Sequence, residues 1–303
     1  MQPGQRNFLE KTLQEGYHLC MHENRTLPIQ IPLSKALLKK FGSLLRKKYR
    51  SKHQLFIAEG ARTVEQFLIR MKPAVEAVIV STDFEGDDFY SAICAAHQIP
   101  VYSCTSESFR QLSDTANPQG ILAVCKCMSP GLSGNTPLPN GSLYLALDDL
   151  QDPGNLGTIY RTAAWFGVSG LLLGTGCADF YNPKVIRSTA GATGTLPFSE
   201  TDLLTALPRF EARGAEILLL DLNPGARPLH EVAGNRAGLK KESRSPLLLV
   251  TGNEARGISQ ALRERYPAVY IQGMPEQVES LNAAISTAIA LYALTDPESL
   301  NQG

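Results

Sequence analysis

The chain has 303 residues, 43% of them hydrophobic and 19% charged, with 29 Lys/Arg against 29 Asp/Glu and a formal net charge of zero. That is enough apolar mass for a substantial core, divided between two domains, and it excludes a chain disordered throughout. No run of about 18 apolar residues offers a membrane span, and the opening MQPGQRNFLE lacks the apolar segment of a secretory signal, so a cytoplasmic location is expected.

Residues 1–30 read as a polar extension of weak periodicity to which no role attaches. His18, Cys20 and His22 could gather a metal, but no fourth ligand is evident and no metal site is expected. The six cysteines, at 20, 94, 104, 125, 127 and 177, form no CxxC framework, which suits reduced thiols better than disulfides or zinc. Charge is unevenly spread. Residues 1–53 carry eleven Lys/Arg and three Glu, a net of +8, leaving −8 for the remainder. Between Lys35 and Lys52 there are eight basic residues and no acid. Such a run attracts phosphates without sequence preference. Leu37, Leu38, Phe41, Leu44 and Leu45 make an apolar stripe within it, so a solvated amphipathic helix explains the lysines too. Both readings can hold together.

From Gln54 to Met128 strands alternate with helices: LFIAEG strand and turn, ARTVEQFLIRM helix, AVEAVIVST strand, DDFYSAICAAHQ helix, then VYSCT and ILAVCKC strands. Ser129–Gly141, dense in Pro, Gly, Ser and Asn, reads as a linker. SLYLAL (142–147) is apolar enough for a strand buried on both faces. Pro153–Gly154 break it, and Asn155 is the expected N-cap of the next helix, with Asp148, Asp149 and Asp152 at its positive end. On that helix Ile159, Ala163 and Phe166 fall on one face and Thr158, Arg161, Thr162 and Trp165 on another. GLLLG follows as a strand. Gly174-x-Gly176 lacks the third glycine of a dinucleotide turn, with Asp179 in its place. NPKVIRST suggests a helix with a basic face at Lys184 and Arg187. TDLLTALPRFEARG and AEILLLDL form a helix–strand pair, and a polar loop runs to Ser245. LLLVTGNEARGIS then takes a strand into a glycine-bearing turn, and MPEQVESLNAAISTAIALYA takes a polar loop into a final helix.

Three of these stretches, LDDLQDPGNLGTIYRTAAWFGV, LLLVTGNEARGIS and MPEQVESLNAAISTAIALYA, in this order and spacing, resemble the three motifs of the SpoU (TrmH) family of RNA 2′-O-methyltransferases, in the knotted SPOUT superfamily. KKYRSKHQLFIAEGARTVEQFL with LSDTANPQGILAVC is similar to the ribosomal-protein-like substrate-binding domain that precedes many catalytic domains of that family. The resemblance implies an α/β fold in which 31–128 is an RNA substrate-binding domain, 129–141 a linker, and 142–303 a SPOUT domain with a trefoil knot around a mostly parallel sheet. It implies S-adenosylmethionine as methyl donor, structured RNA as acceptor and a homodimer, with catalytic groups contributed across the interface in some members. An N-terminal domain of this kind is more usual among rRNA-directed members, which favours 23S-type rRNA. The alternatives are a tRNA 2′-O-methyltransferase and a catalytically silent RNA binder on the same fold.

Residue by residue, the resemblance places catalysis on Arg161, with Asn155, Glu254, Ser280 and Asn282 around it. The cofactor positions are Thr251, Gly252, Asn253, Gly257, Met274 and Leu281, with either Ile271 or Gln272 against adenine, because this chain reads IQGM where the family has Ile-Pro-Met. RNA contacts are expected from Arg46, Lys47, Lys48 and Arg50, and from Lys184 and Arg187. Arginine stays protonated in proteins. Arg161 is therefore read as a phosphate fork that stabilises developing alkoxide charge, and Glu254 as a holder of Arg161 or of loop amides. On the final helix Leu281, Ile285, Ile289 and Tyr292 share a stripe, opposite small alanines.

Overall fold

A computed structural model describes residues 30–71, 74–86, 89–128, 131–132, 136–274 and 280–295. The 1–29 extension with its His18, Cys20 and His22, and parts of the linker and of the loop before Ser280, lie outside the described residues. Two compact units emerge, one comprising the chain to Met128 together with Tyr181–Gly191, the other Ser129–Phe180 with Ala192–Gly303. Tyr181–Gly191, within the expected 142–303 span, groups with the first unit in this division.

The first unit is a five-stranded sheet in the order β1 (Ile31–Pro32), β4 (Val101–Cys104), β3 (Val75–Ser81), β5 (Ile121–Lys126), β2 (Leu55–Glu59), with β5 antiparallel to both of its neighbours. Helix α1 (Lys35–Ser43) starts at Ser34, whose hydroxyl accepts from the Leu37 amide, and buries Phe41; Leu44 follows it into the core. Leu37, Leu38 and Leu45 pack on the same cluster, so the apolar stripe is a core face. Lys35, Lys39, Lys40, Arg46, Lys47 and Lys48 stay exposed.

Arg50 is the exception, which corrects its placement on the basic surface. It lies in α2 (Lys47–His53) at 4% exposure, and its Nη1 donates to the Leu44 carbonyl at 2.8 Å. The end of α1 leaves that carbonyl without a helical partner, and a buried guanidinium supplies one.

Glu59, at the end of β2, is buried too. Its Oε1 accepts from Ser113 Oγ at 2.6 Å and Thr115 Oγ1 at 3.0 Å. Arg187, on a helix (Pro183–Ser188) that belongs to this unit, lies 3.8 Å from Glu59 Oε2 and closes its fork on the Asp114 carboxylate. Glu59 is accordingly an anchor for loop hydroxyls.

The second unit holds a seven-stranded sheet in the order β10 (Arg227–Pro228), β12 (Ala268–Tyr270), β9 (Glu216–Leu220), β11 (Leu247–Thr251), β6 (Leu143–Leu147), β7 (Gly170–Leu173), β8 (Phe198–Glu200), every described pairing parallel. Its central strands β6 and β11 are buried at every position, as leucine-rich strands covered on both faces must be. In a parallel sheet the loops leaving the carboxyl ends gather along one edge, where open α/β sheets bind ligands. The turns after β6, β9, β11 and β12 all lie there. One helix, Leu229–Ala237, occupies what the sequence suggested was plain loop before Ser245.

Candidate active site

The helix after β6 spans Pro153–Trp165, and its N-cap is Asp152, not Asn155. The Asp152 carboxylate accepts from the Asn155 amide at 2.7 Å while Pro153 takes the first helical position, where its missing N–H costs nothing. The shift frees the Asn155 side chain. Its Nδ2 donates to Glu254 Oε1 at 2.7 Å, and its Oδ1 accepts from Asn282 Nδ2 at 3.1 Å. Asn282 is also the N-cap of the final helix (Ala283–Leu294), its Oδ1 taking the amides of Ala284 and Ile285. One residue from each of the three sequence stretches is thereby joined in a single relay.

Two turns are sewn together beneath that relay. Asp148 donates its amide to Thr251 O and accepts the Ser259 amide on its carboxylate at 2.7 Å. Asn253 is nearly buried. Its Oδ1 takes the Ala255 and Arg256 amides, and its Nδ2 donates to the Asp149 carbonyl at 2.7 Å. Asn253, and not Glu254, therefore holds the loop amides, and Glu254 is bonded to Asn155 rather than to Arg161 of the same chain. Asp149 sits at φ 53, and a Cβ at Gly176 would come within 2.2 Å of its Oδ1. Gly176 makes room for a carboxylate, which accounts for the glycine without a dinucleotide.

Gly252 is obligatory for a different reason: a Cβ there would lie 2.4 Å from the Gly257 carbonyl carbon and 2.5 Å from its oxygen. The turn closes backbone on backbone, with Asn253 and Gly257 exchanging amide–carbonyl bonds of 2.9 Å. Thr251 below it is buried and accepts from Thr287 Oγ1 at 3.1 Å. Ile271 is half-buried, while Gln272, Met274, Ser280 and Leu281 are exposed.

Arg161 stands apart. It is exposed on the 153–165 helix and makes no hydrogen bond or ion pair among the described residues. Asn155 lies six positions earlier, about one and two-thirds turns, so the two side chains leave the helix on different sides. Beside Arg161 the surface is apolar. Trp165 is 64% exposed, Ile285 53% and Tyr292 75%, with the Phe166 and Tyr292 rings 6.2 Å apart. The stripe on the final helix faces outward, and Ala283, Ala284, Thr287, Ala290 and Leu291 form its buried side.

Cys177 closes the floor. Its thiol donates to Leu147 O at 3.2 Å and accepts from the Leu150 amide at 3.3 Å. Burial, reinforced by the carboxylates of Asp148 and Asp149, raises its pKa from the usual 9.0 to about 11. At pH 8 iodoacetamide is expected to label it more slowly in the folded protein than after unfolding, as read by mass spectrometry. Because the folded pKa is the higher, its contribution to stability is complete below about pH 9 and is lost as pH rises through about 11. Among the described residues no group of His, Cys, Asp or Glu could hold a metal, and no helix is long and apolar enough to cross a membrane.

The model of the SpoU rRNA methylase family matches residues 142–292, and that of the MRM3-like substrate binding domain matches 35–123. The chain is 30% identical over 257 residues to the 23S rRNA (guanosine(2553)-2′-O)-methyltransferase RlmP of Bacillus subtilis, covering 85% of this chain and 95% of that one. An uncharacterised tRNA/rRNA methyltransferase of Synechocystis is also 30% identical, over 84% and 89% of the two chains. A TrmH-family protein from Porphyromonas gingivalis superposes with a TM-score of 0.71 at 30% identity, over 87% of this chain and 98% of that one. The chain belongs to the SpoU rRNA methylase family of RNA methyltransferases.

Proposed function

We propose that the protein methylates a ribose 2′-hydroxyl of 23S-type rRNA, as its relative RlmP is named for doing, with S-adenosylmethionine as the methyl donor. The observation that carries this reading is the Asn282–Asn155–Glu254 relay, which brings all three motifs to the carboxyl edge of a parallel sheet. The edge fits the donor. Gly252 and Gly257 present bare backbone, which lets amides and carbonyls approach a ligand, and Ile271, Met274 and Leu281 offer apolar surface for a flat adenine.

When bound, the donor supplies a methyl on a cationic sulfonium. The protein must then help a poor nucleophile lose its proton. Arg161, permanently charged, grips the adjacent phosphate and stabilises alkoxide charge as it develops, with the proton passing to phosphate or water. Glu254 fixes the Asn155 amide, and Ser280 and Asn282 complete the polar wall. Since Arg161 and Asn155 leave their helix on different sides, we assign Arg161 to the site of a second copy. The apolar surface around Trp165, Ile285, Ile289 and Tyr292 supports a homodimer, being of the kind that soluble proteins cover. The C-terminal helix docks on the 153–165 helix; the trefoil knot is inferred from family membership. A cytoplasmic location accords with these assignments.

In the first unit, Arg46, Lys47, Lys48 and the exposed Lys184 are the phosphate contacts, and the buried Arg50 and the paired Arg187 hold the scaffold. Lys47→Ala/Lys48→Ala is expected to lower the salt slope of RNA binding by roughly two. Arg50→Ala should leave that slope alone and cost about 1–3 kcal/mol in urea unfolding, by orphaning the Leu44 carbonyl.

The deciding experiment incubates the protein with labelled donor and either total rRNA or total tRNA. Label in an alkali-resistant dinucleotide from rRNA supports the proposal, label from tRNA alone redirects it to a tRNA enzyme, and donor binding without transfer to either pool would favour a catalytically silent RNA binder.

A further inference from the structure

We propose that Asp221 and Arg263, outside the three motifs, form a brace that positions the Gly252–Gly257 turn for the methyl donor; the consequence for donor binding rests on the function proposed above. Asp221 directly follows β9 and is 10% exposed at its side chain. Arg263 ends the short helix Gln260–Arg263, just beyond the turn. Its Nε lies 2.8 Å from Asp221 Oδ2, and its Nη2 donates to Oδ1 at 3.2 Å. Asn223 Nδ2 reaches the same carboxylate at 3.4 Å, and the Asp221 amide is tied to Val269 O at 3.0 Å. The carboxylate is thus fixed on the sheet before the guanidinium meets it.

What the guanidinium then touches is the turn itself. A Cβ at Gly257 would fall 2.5 Å from Arg263 Nη2 and 3.7 Å from Asp221 Oδ1, so the fork lies against the Gly257 α-carbon. Gly257 holds φ +68, a left-handed geometry that glycine adopts without strain. On its other side Gly257 abuts Gly252 backbone to backbone. Contact therefore runs from the sheet through Asp221, Arg263 and Gly257 to Gly252, and through Asn253 to the loop carrying Glu254. Neither member of the pair stands among the motif residues. Nη2 hydrogen-bonds Asp221, while the buried Nε sits 2.8 Å from Oδ2 without a hydrogen bond. A half-buried ion pair of this kind behind a bare glycine turn holds the turn chiefly by charge and contact, since the guanidinium stays charged.

The brace makes two separable predictions for Asp221→Asn and Arg263→Lys, both of which preserve side-chain bulk. In the apo protein, hydrogen exchange at the Asn253 and Gly257 amides should accelerate while the rest of the sheet keeps its protection and the melting temperature barely moves. Calorimetry should show donor affinity weakened about tenfold, with RNA affinity unchanged and the double variant no worse than either single one, as coupled partners require. Unchanged exchange in the turn would overturn the brace. So would accelerated exchange with wild-type donor affinity, or donor and RNA affinities falling together with the melting temperature. A wild-type protein that binds no donor would sink the methyl-donor reading instead, leaving the exchange result to judge the brace by itself.

Discussion

Mixing Arg161→Ala protein with Asn155→Ala protein, each nearly inactive alone, is expected to restore about a quarter of the wild-type methyl-transfer rate. Loss of the guanidinium alone should cost about 10²–10³-fold in kcat, the range for removing a group that stabilises developing negative charge. In the two-fold dimer proposed above, random exchange would make half of the dimers mixed, and each mixed dimer would rebuild one of its two sites, with Asn155 from one copy and Arg161 from the other. The structural ground is the divergence of the two side chains along the 153–165 helix and the apolar surface beside Arg161. Copies that carry all their own catalytic groups would show no recovery, and the assignment of Arg161 to a partner site would fall.

Gly252→Ala should abolish measurable donor binding and lower stability by about 1–3 kcal/mol, as overpacking does. The added carbon would meet the Gly257 carbonyl at 2.4–2.5 Å and the Ile258 amide nitrogen at 2.5 Å. All three atoms are backbone, so no rotamer change relieves the contact. Gly234→Ala is the matched control. It lies within the 229–237 helix with nothing inside 4 Å of the added carbon, and it should gain about 0.5–1 kcal/mol from helix propensity. Isothermal calorimetry and urea unfolding of both variants separate local collision from a general intolerance of alanine. Donor binding by Gly252→Ala at wild-type affinity would show that the turn opens at little cost and is not the cradle inferred for it.

The motif loops were legible in the sequence because their three stretches, in order and spacing, resemble the family's motifs, with Pro153–Gly154 and the glycines of the second stretch marking where strands give way to turns. The buried strands β6 and β11 were legible as short leucine-rich runs bounded by turns. What escaped depends on partners distant along the chain. Asn155 looked like a cap because Asn is a good one, yet Asp152 stands three residues earlier with Pro153 behind it, and a capped helix leaves Asn155 free to meet Glu254. Arg50 carried the same charge as its neighbours, and only the fold turns it toward Leu44. The 229–237 helix buries little beyond Leu229 and Val232, too few positions for a clear period. Asp221 and Arg263, 42 residues apart, have no signature at all before β9 and the turn after β11 are neighbours.

The first unit borrows a piece of chain made long after the rest of it. Pro183, Val185 and Ile186 are buried, Tyr181 lies against Phe56 with ring centroids 4.7 Å apart, and the Met128 amide donates to the Tyr181 hydroxyl at 2.7 Å. During synthesis, therefore, this unit cannot finish folding when residue 128 leaves the ribosome; it must wait some sixty residues more, while β6 and β7 of the other unit are already emerging. A fragment cut at Met128 would expose the face that Tyr181–Gly191 covers and leave Asp114 without its arginine. Dissection of this protein should accordingly proceed by substitution in the full chain, and a grafted N-terminal unit would need residues 181–191 supplied with it.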